Sequence, residues 1–387
     1  MFWPLQENII NDQDINMLIS FIRETKRFTQ FEKVALFEKL FSEWQGSKYC
    51  VFVNSGSSAN LISINALKEK YNWKDGDEII VQAVTWPTTV TPVIQCGLKP
   101  VFIDANLEDL SFDYGKIESK ITSKTKAIMV AHLLGFPAAI EKIEKIIGGR
   151  NILLIEDCCE SQGAKINGVK VGNFGICSTF SFYWGHHMTT VEGGMVCTNN
   201  EDIYKLLLLK RSHGLARELS VKYHKDLKEK YKEIDFNFLF LTDGFNVRNT
   251  EFNAVLGISQ LDSIDGYIKQ RNQNYISFLN ICKLYKEHLI LLDIPGISSF
   301  VFPFIFKNKD RKAEFQNILS AQGIESRPII SGNLLLQPFL NHYYNKVDFP
   351  NADFLHYNAF YIGNNQFVNS ERIEILKELM YNYFAVL

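Results

Sequence analysis

Two adjacent histidines, His186 and His187, are the residues of this chain best suited to proton transfer. They lie in the segment SFYWGHHMTTVEGG, residues 181–194, between two short apolar segments. An imidazole gains and loses its proton near neutral pH, so either ring could serve as a general base. A histidine pair also suggests a metal site. However, neighbouring residues of a helix or strand point in different directions, and no suitably spaced ligand completes a set. The segment therefore predicts acid–base chemistry and no bound metal.

The segment NSGSSANL, residues 54–61, is suited to binding a phosphate group. Gly56, Ser57 and Ser58 follow an apolar strand and begin a helical stretch. The free N–H groups and the dipole at the start of a helix favour an anion there. Serines at this position are equally well explained as helix caps, so both interpretations stay open.

An acidic residue ends one of the apolar strands. In ILLIEDCCESQGA, residues 152–164, Asp157 stands at the carboxyl end of the strand, and ligands of open α/β sheets bind at that edge. A carboxylate there can pair with a protonated ring nitrogen of a cofactor, or it can be a helix cap or a surface acid. Glu160, three residues later, either contacts the same ligand or caps the following helix.

A mostly parallel sheet is expected to position these groups. Near-continuous apolar strands that alternate with helical segments are typical of a parallel sheet covered by helices on both faces. We therefore predict an α/β fold with a seven-stranded sheet in a large domain, residues 1–250, which includes N-terminal helices. The expected strands are YCVFV, EIIVQAV, PVFIDA, KAIMVAHL, NILLIED, STFSFY and GMVCTN.

The remaining residues, 251–387, predict a smaller C-terminal α+β domain. Residues 251–290 are expected to be helical, SFVFPFIF to be a strand, and 310–322 to be a helix, with further helices to the end. No low-complexity linker separates the two parts, and ligands favour a fixed cleft between domains.

Composition excludes several classes of partner. A net charge of -2 over 387 residues offers no basic excess for nucleic acid. The N-terminal segment MFWPLQENII lacks a signal-peptide pattern, and the longest apolar runs are strand-sized, so we expect no membrane contact. Seven cysteines without CxxC pairs suit a reducing compartment. The expected location is the cytoplasm.

In this order and spacing, the three segments resemble the DegT/StrS family of sugar-nucleotide aminotransferases, which are fold type I pyridoxal-phosphate enzymes. The similarity covers most of the chain and extends to AVTWPTT, residues 83–89, and GFNVRNTEFNAVLG, residues 244–257. It implies a fold type I aminotransferase-like fold and a homodimer with shared active sites. Trp86 would then stack on the cofactor ring rather than lie in the core, and Asn246 would reach the phosphate of the neighbouring subunit. The other cofactor contacts that the resemblance implies are Gly56, Ser57, Ser58, Asp157, Glu160 and Ser181.

His186 occupies the position at which the family carries a lysine that binds the cofactor covalently. An imidazole cannot form that bond but can act as a base. Pyridoxal 5'-phosphate or pyridoxamine 5'-phosphate would therefore be held without a covalent link. The chain is similar to the family members with histidine here, which remove a sugar hydroxyl.

That similarity implies loss of the carbon-3 hydroxyl from a GDP-linked 4-keto-6-deoxy sugar, either a hexose or a heptose. Ammonia would be released, and L-glutamate would regenerate the cofactor. The implied pathways make 3,6-dideoxysugars for O-antigen, lipopolysaccharide or capsular polysaccharide. His213, Arg248 and Arg327 would lie on the substrate side, although surface ion pairs explain the arginines equally well.

Two other functions stay open as alternatives: a nucleotide-sugar aminotransferase with an atypical active site, and a degenerate cofactor-binding protein. A related class that acts on CDP-sugars also carries histidine but holds an iron–sulfur cluster, which needs about four cysteine ligands. Beyond residue 200 this chain has only Cys282, so we expect no iron–sulfur cluster.

Overall fold

A seven-stranded sheet forms the centre of the computed structural model, which describes residues 2–385. Its strands coincide with the seven expected from the sequence, and their order along the sheet is β1-β9-β8-β5-β4-β2-β3. They are β1 (Tyr49–Val53), β2 (Glu78–Gln82), β3 (Lys99–Ile103), β4 (Thr125–Ala131), β5 (Leu153–Asp157), β8 (Cys177–Ser181) and β9 (Gly194–Thr198), with a short hairpin, β6 (Lys165–Ile166) and β7 (Val169–Lys170), between β5 and β8.

Most strand pairs of this sheet are parallel, as predicted. β2 pairs with β3 and β4, β4 with β5, and β5 with β8, all in parallel. β9 is the exception, because it runs antiparallel to both β1 and β8. Nearly every residue of these strands is buried, since helices cover both faces of the sheet. The α/β fold class is confirmed.

Helices surround the sheet and continue to the end of the described chain. The expected helical region 251–290 is divided into two helices by a break at 262–263, and the expectation was wrong after Lys283, since residues 289–290 form a strand. The helices are α1 (Asp12–Glu24), α2 (Glu32–Gln45), α3 (Gly56–Lys70), α4 (Pro87–Gln95), α5 (Tyr114–Ile117), α6 (Ile140–Ile147), α7 (Glu201–Arg211), α8 (His224–Lys230), α9 (Glu251–Leu261), α10 (Ile264–Lys283), α11 (Lys309–Ala321), α12 (Pro350–Asn358) and α13 (Ser370–Phe384).

A second, four-stranded antiparallel sheet lies in the C-terminal part of the chain, in the order β10-β11-β13-β12. The expectation of only helices after residue 322 was wrong at β12 and β13. α12 passes into β13 without a glycine or proline between them, so no local signal marks the change. The strands are β10 (Leu289–Ile290), β11 (Val301–Phe306), β12 (Ser326–Pro328) and β13 (Ala359–Gly363).

Residues 2–10 form a segment, here termed the N-terminal strap, that contacts the C-terminal strands. The Trp3 backbone N–H donates to the Gly323 carbonyl at 2.9 Å, and its indole N–H donates to the Gly363 carbonyl at 3.1 Å. Further along, Gln6 reaches the carbonyl of His186. The strap therefore connects the C-terminal sheet with residues 181–194, here termed the histidine segment. The division of the chain at residue 250 stays a prediction.

No helix within residues 2–385 is both long enough and apolar enough to cross a bilayer.

Candidate active site

A cavity of about 330 Å³ opens where the carboxyl ends of the parallel strands meet the C-terminal sheet. This volume lies in the range of small-ligand sites. Eight of the residues expected at the site line it: Gly56, Ser57, Trp86, Asp157, Glu160, Ser181, His186 and Arg327. Widely separated segments of the sequence thus meet in one place, at the sheet edge where the strand-end argument expected a ligand.

Asp157 is buried at the end of β5, and every group that hydrogen-bonds to its side chain is a donor. Oδ2 accepts from the Asn60 amide and from the Thr89 hydroxyl, each at 2.9 Å. Oδ1 accepts from the Cys159 N–H at 3.1 Å. Asn60 is itself fixed, because its Oδ1 accepts from the Thr179 hydroxyl at 2.6 Å. These contacts orient the carboxylate rigidly at the cavity wall.

The N-terminus of α3 forms another wall of the cavity. Ser55 is the N-cap, and its hydroxyl accepts from the Ser58 N–H at 3.1 Å. The interpretation of Ser57 and Ser58 as the helix caps is therefore wrong, because the cap is Ser55. A Cβ on Gly56 would lie only 2.7 Å from the Ser181 Cβ, so only glycine lets the two segments approach this closely. Gly56 and Ser57, with the Ser181 hydroxyl, can hold an anion beside the helix N-terminus.

His186 is half-buried in the cavity wall, in the segment that connects β8 to β9. Its Nδ1 is buried and has no hydrogen-bond partner among the described residues. The rings of Tyr183 and Phe300 meet its ring edge-on, with centroids 5.8 and 6.1 Å away. Burial lowers the pKa of His186 to about 4, although Asp157 opposes the shift. The imidazole is therefore neutral at pH 7 and can accept a proton.

Glu160 lies across the cavity and is also half-buried. One carboxylate oxygen accepts from the Leu134 N–H at 2.9 Å. Burial raises the pKa of Glu160 to about 7, and the charge of Asp157 adds to the shift. A carboxyl group with such a pKa can donate or accept a proton near neutral pH.

Trp86 and Arg327 lie at the open side of the cavity. The Trp86 side chain is 55% exposed at the N-cap position of α4, so the alternative of an ordinary core tryptophan is wrong. An aromatic face exposed in a cavity is available for stacking on a ligand ring. Within residues 2–385, neither Arg327 nor Arg248 forms an ion pair with a carboxylate, which removes the surface ion-pair alternative there.

Four expected site residues lie outside the cavity wall of the protomer: Ser58, His213, Asn246 and Arg248. Arg248 forms a β-bridge with Val53 at the end of β1, the edge strand nearest the cavity. Asn246 is exposed two residues earlier, and His213 is exposed in a left-handed backbone conformation with φ 58°. Their roles stay predictions.

A buried group of His132, Glu156 and Cys158 has the side-chain types of a metal site. The contacts show a different role. His132 Nε2 lies 3.1 Å from Glu156 Oε2, and its Nδ1 accepts from the Ala138 N–H at 3.0 Å. The Glu156 oxygens also accept from three backbone N–H groups, those of Gly172, Phe174 and Gly175. Since both ring nitrogens and both carboxylate oxygens are occupied, the cluster is a structural hydrogen-bond network.

The sequence did not identify several residues that shape the site. Asn60 and Thr89 orient Asp157 but lie on α3 and α4, far from it in sequence. Tyr183, Phe300 and Tyr361 also line the cavity. Thr89 and Asn60 do occur within the segments on which the resemblance rests. Their contacts with Asp157 become visible only in the structure, where both helices approach β5.

Comparison with known proteins places the chain in a family. The family model described as DegT/DnrJ/EryC1/StrS aminotransferase matches residues 9–379. GDP-4-keto-6-deoxy-D-mannose 3-dehydratase from Escherichia coli is 39% identical over 98% of this chain and 99% of its own.

Two solved structures of GDP-4-keto-6-deoxymannose-3-dehydratase show the same fold at 36% identity and a TM-score of 0.89. One, of a variant with bound GDP-perosamine, covers 98% of this chain and 100% of its own. The other, with a trapped PLP–glutamate geminal diamine, covers 97% and 99%. With the family model matched over nearly the whole length and a fold type I structure shared throughout, the chain belongs to the DegT/DnrJ/EryC1/StrS aminotransferase family.

Proposed function

We propose that this chain is a pyridoxamine-phosphate-dependent 3-dehydratase of a GDP-linked 4-keto-6-deoxy sugar. The observation that carries the proposal is His186, a neutral imidazole in the wall of the cofactor cavity at the position where the aminotransferases of the family use lysine. A base that cannot bind the cofactor covalently favours elimination of a hydroxyl over permanent transfer of an amine. Two relatives that are 39% and 36% identical over 98% of this chain are both GDP-4-keto-6-deoxy-D-mannose 3-dehydratases.

The residues of the cavity fit pyridoxal or pyridoxamine phosphate. Asp157 suits the ring nitrogen, the exposed face of Trp86 suits the ring, and the glycine at position 56 leaves room for a phosphate beside the start of α3. Ser57 and Ser181 would complete the phosphate contacts, and Glu160 would face the phenolic oxygen. When bound, the cofactor supplies an amine and an electron sink.

The residues that line the cavity have distinct proposed roles in this reaction. The neutral His186 imidazole lies in the cavity wall, so it is suited to take a proton from a neighbouring carbon. Tyr183 and Phe300 flank the ring and limit the water around it. Glu160, with its pKa near 7, can protonate the departing hydroxyl or stay protonated beside an oxygen anion.

The open side of the cavity is the proposed substrate side. Arg327 lies there and pairs with no carboxylate of residues 2–385, so its guanidinium can bind a diphosphate or a sugar hydroxyl. GDP-perosamine and glutamate are bound in the solved structures of the relative. We therefore assign a GDP-linked hexose or heptose and L-glutamate as substrates. His213 and Arg248 would contact them from a neighbouring subunit.

Product analysis tests the assignment. The chain, pyridoxal phosphate and L-glutamate are incubated with 4-keto-6-deoxysugars linked to GDP, CDP or dTDP, and products are identified by mass spectrometry. We expect a deoxygenated 4-keto sugar and free ammonia from the GDP substrate, and neither from a His186→Asn variant. An amino sugar as the main product would instead establish an aminotransferase, and cofactor binding without any product would indicate a degenerate protein.

We also propose a homodimer, which is supported by exposed apolar side chains. Ile15, Ile19 and Ile22 lie on one face of α1 and are 40 to 45% exposed. Phe238 and Phe240 are 65% and 56% exposed. Such surfaces are usually covered by a partner. Asn246, exposed beside the edge strand, would then contact the phosphate in the neighbouring subunit's site.

A shared site predicts complementation between inactive variants. His186→Asn and Asn246→Asp subunits are each expected to be impaired, because each removes one part of both sites. After subunit exchange, one site of every mixed dimer has both residues intact, so activity should return to roughly one quarter of wild type. The measurement is turnover before and after mixing, with exchange verified by native mass spectrometry. Verified exchange without recovery would assign Asn246 to its own subunit's site or to neither.

The cytoplasm as location, and 3,6-dideoxysugar formation for bacterial surface polysaccharides as the pathway, belong to the same proposal. They are supported by the similarity to the dehydratases of nucleotide sugars.

A further inference from the structure

Residues that lie outside the large sheet hold the histidine segment, which carries the proposed base His186. We propose that His187, together with Gln6, is a positioning residue that fixes the backbone of the histidine segment and so keeps the His186 imidazole in the cavity wall. The inference rests on the proposed function, in which His186 is the base. Lysine enzymes have a covalent link that helps to place the residue, whereas here only non-covalent contacts can do so.

Among the hydrogen bonds that hold the histidine segment from outside the sheet, that of the His187 side chain is the shortest. The side chain is fully buried, and its Nε2 lies 2.5 Å from the carbonyl oxygen of Ser298, so the ring donates this hydrogen bond. Ser298 is itself held on both sides: its N–H donates to the Gly135 carbonyl at 2.8 Å, and its hydroxyl donates to the Gln162 carbonyl at 2.6 Å. The anchor point is therefore rigid, and it lies just before β11.

Other contacts act on the same backbone. The Gln6 side-chain amide donates to the His186 carbonyl at 3.2 Å from the N-terminal strap. The buried guanidinium of Arg271 lies 3.4 Å from the His187 carbonyl. The ring of Phe300 packs edge-on against both histidines, at 6.1 and 5.3 Å between centroids. The adjacent carbonyls of His186 and His187 are thus held by donors from two distant parts of the chain, Gln6 and Arg271.

Fixing the backbone matters because proton transfer depends on distance. A displacement of about 1 Å at a reacting group can cost roughly 10²-fold in rate. No described residue hydrogen-bonds to the His186 Nδ1, and the backbone and the flanking rings therefore do much to place the imidazole. His187 is suited to this task and not to catalysis, since it does not line the cavity.

Two variants of His187 separate positioning from packing. His187→Leu fills the space but removes the donor, and we expect kcat to fall about 10²-fold with KM for the sugar changed less than about threefold. His187→Gln retains an N–H donor of similar reach and should keep turnover within about fivefold of wild type. Gln6→Leu should lower kcat in the same direction. Circular dichroism and Tm verify that each variant is folded.

A second measurement does not depend on turnover. In protein free of cofactor, ¹³C-labelled histidine rings are titrated by NMR, and the His186 signal is assigned from its loss in His186→Asn. The titratable groups that line the cavity with His186 are His132, Asp157, Cys159, Glu160, Tyr183, Glu192, Arg327 and Tyr361, and His187 and Arg271 lie beside the same segment. None of these except His187 changes in the test.

In wild type and His187→Gln, the pKa of His186 should stay below its ordinary value of about 6.5, because the ring is held in a buried position. In His187→Leu the freed segment exposes the ring, so the pKa should rise toward 6.5. A folded His187→Leu variant with an unchanged His186 titration and unchanged kcat would overturn the proposal, as would a folded His187→Gln variant as impaired as His187→Leu. If wild type forms no dehydrated sugar, the proposed function fails, while the NMR titration still decides whether His187 positions His186.

Discussion

Replacing Asp157 with asparagine is expected to lower turnover by on the order of 10²-fold or more while the protein stays folded. A neutral amide cannot hold a proton on the ring nitrogen of the cofactor, so the electron sink weakens. The asparagine Nδ2 would also face the Asn60 amide and the Thr89 hydroxyl, both of which now donate to Oδ2. The lost contacts should cost about 1–3 kcal/mol, a minor part of typical domain stability.

The measurement is kcat for dehydration, together with Tm and cofactor affinity. Thr89→Val is the matched control, because it removes one hydrogen bond to Asp157 and keeps the charge. We expect a much smaller loss, about 10-fold or less, for that variant. Near-normal turnover in folded Asp157→Asn would show that the carboxylate does not serve the cofactor ring.

Replacing His186 with lysine is expected to create a covalent bond between protein and pyridoxal phosphate. The amine of a lysine at this position can reach the cofactor aldehyde if residue 186 faces it, and burial favours the neutral, reactive form of the amine. A visible absorbance band should appear, and borohydride should convert the complex to a stable adduct. Dehydration should fall on the order of 10²-fold or more, because a lysine held in the covalent bond cannot act as the base and competes with glutamate for the cofactor.

Peptide mapping after borohydride locates the adduct. His186→Asn is the control, since it also removes the base but offers no amine. We do not expect efficient amine transfer from the lysine variant, because the arrangement of the substrate suits loss of the hydroxyl. An adduct on a different lysine, or none despite bound cofactor, would mean that residue 186 does not face the aldehyde.

The large sheet could be predicted from the sequence because its strands are buried on both faces and stand out as short apolar segments. The mostly parallel arrangement could be predicted too, but the direction of β9 could not. β9 is as apolar as the parallel strands of the sheet, and only the pairing of Gly194 with Ser181 and Val53 shows that it runs antiparallel to both of its neighbours. β13 was missed for a related reason, since Asn358 ends a helix and Ala359 begins a strand with no turn residue between them.

Site residues could be predicted where their own type and their neighbours in the sequence indicated a chemical role. His186 and Asp157 could be proposed because a histidine between strands and an acid at a strand end are unusual enough to be noticed, and the resemblance connected them. The groups that hold them could not be proposed, because Asn60 and Ser298 act from distant segments that only folding brings together. Asn246 poses a different problem: its proposed partner is in another subunit, and neither the sequence nor one protomer contains that contact.

The attachment of the histidine segment to the sheet explains how one fold can carry different residues at position 186. Residues 182–193 form a loop between two paired strands, because Ser181 and Gly194 pair directly where the loop begins and ends. Its length and attachment are therefore fixed by the sheet, while the side chain at position 186 faces the cavity and not the core. A lysine or a histidine can occupy that position on the same frame. Evolution can thus change the residue that faces the cofactor without altering how the chain folds, while a change of reaction also requires a different arrangement of the substrate.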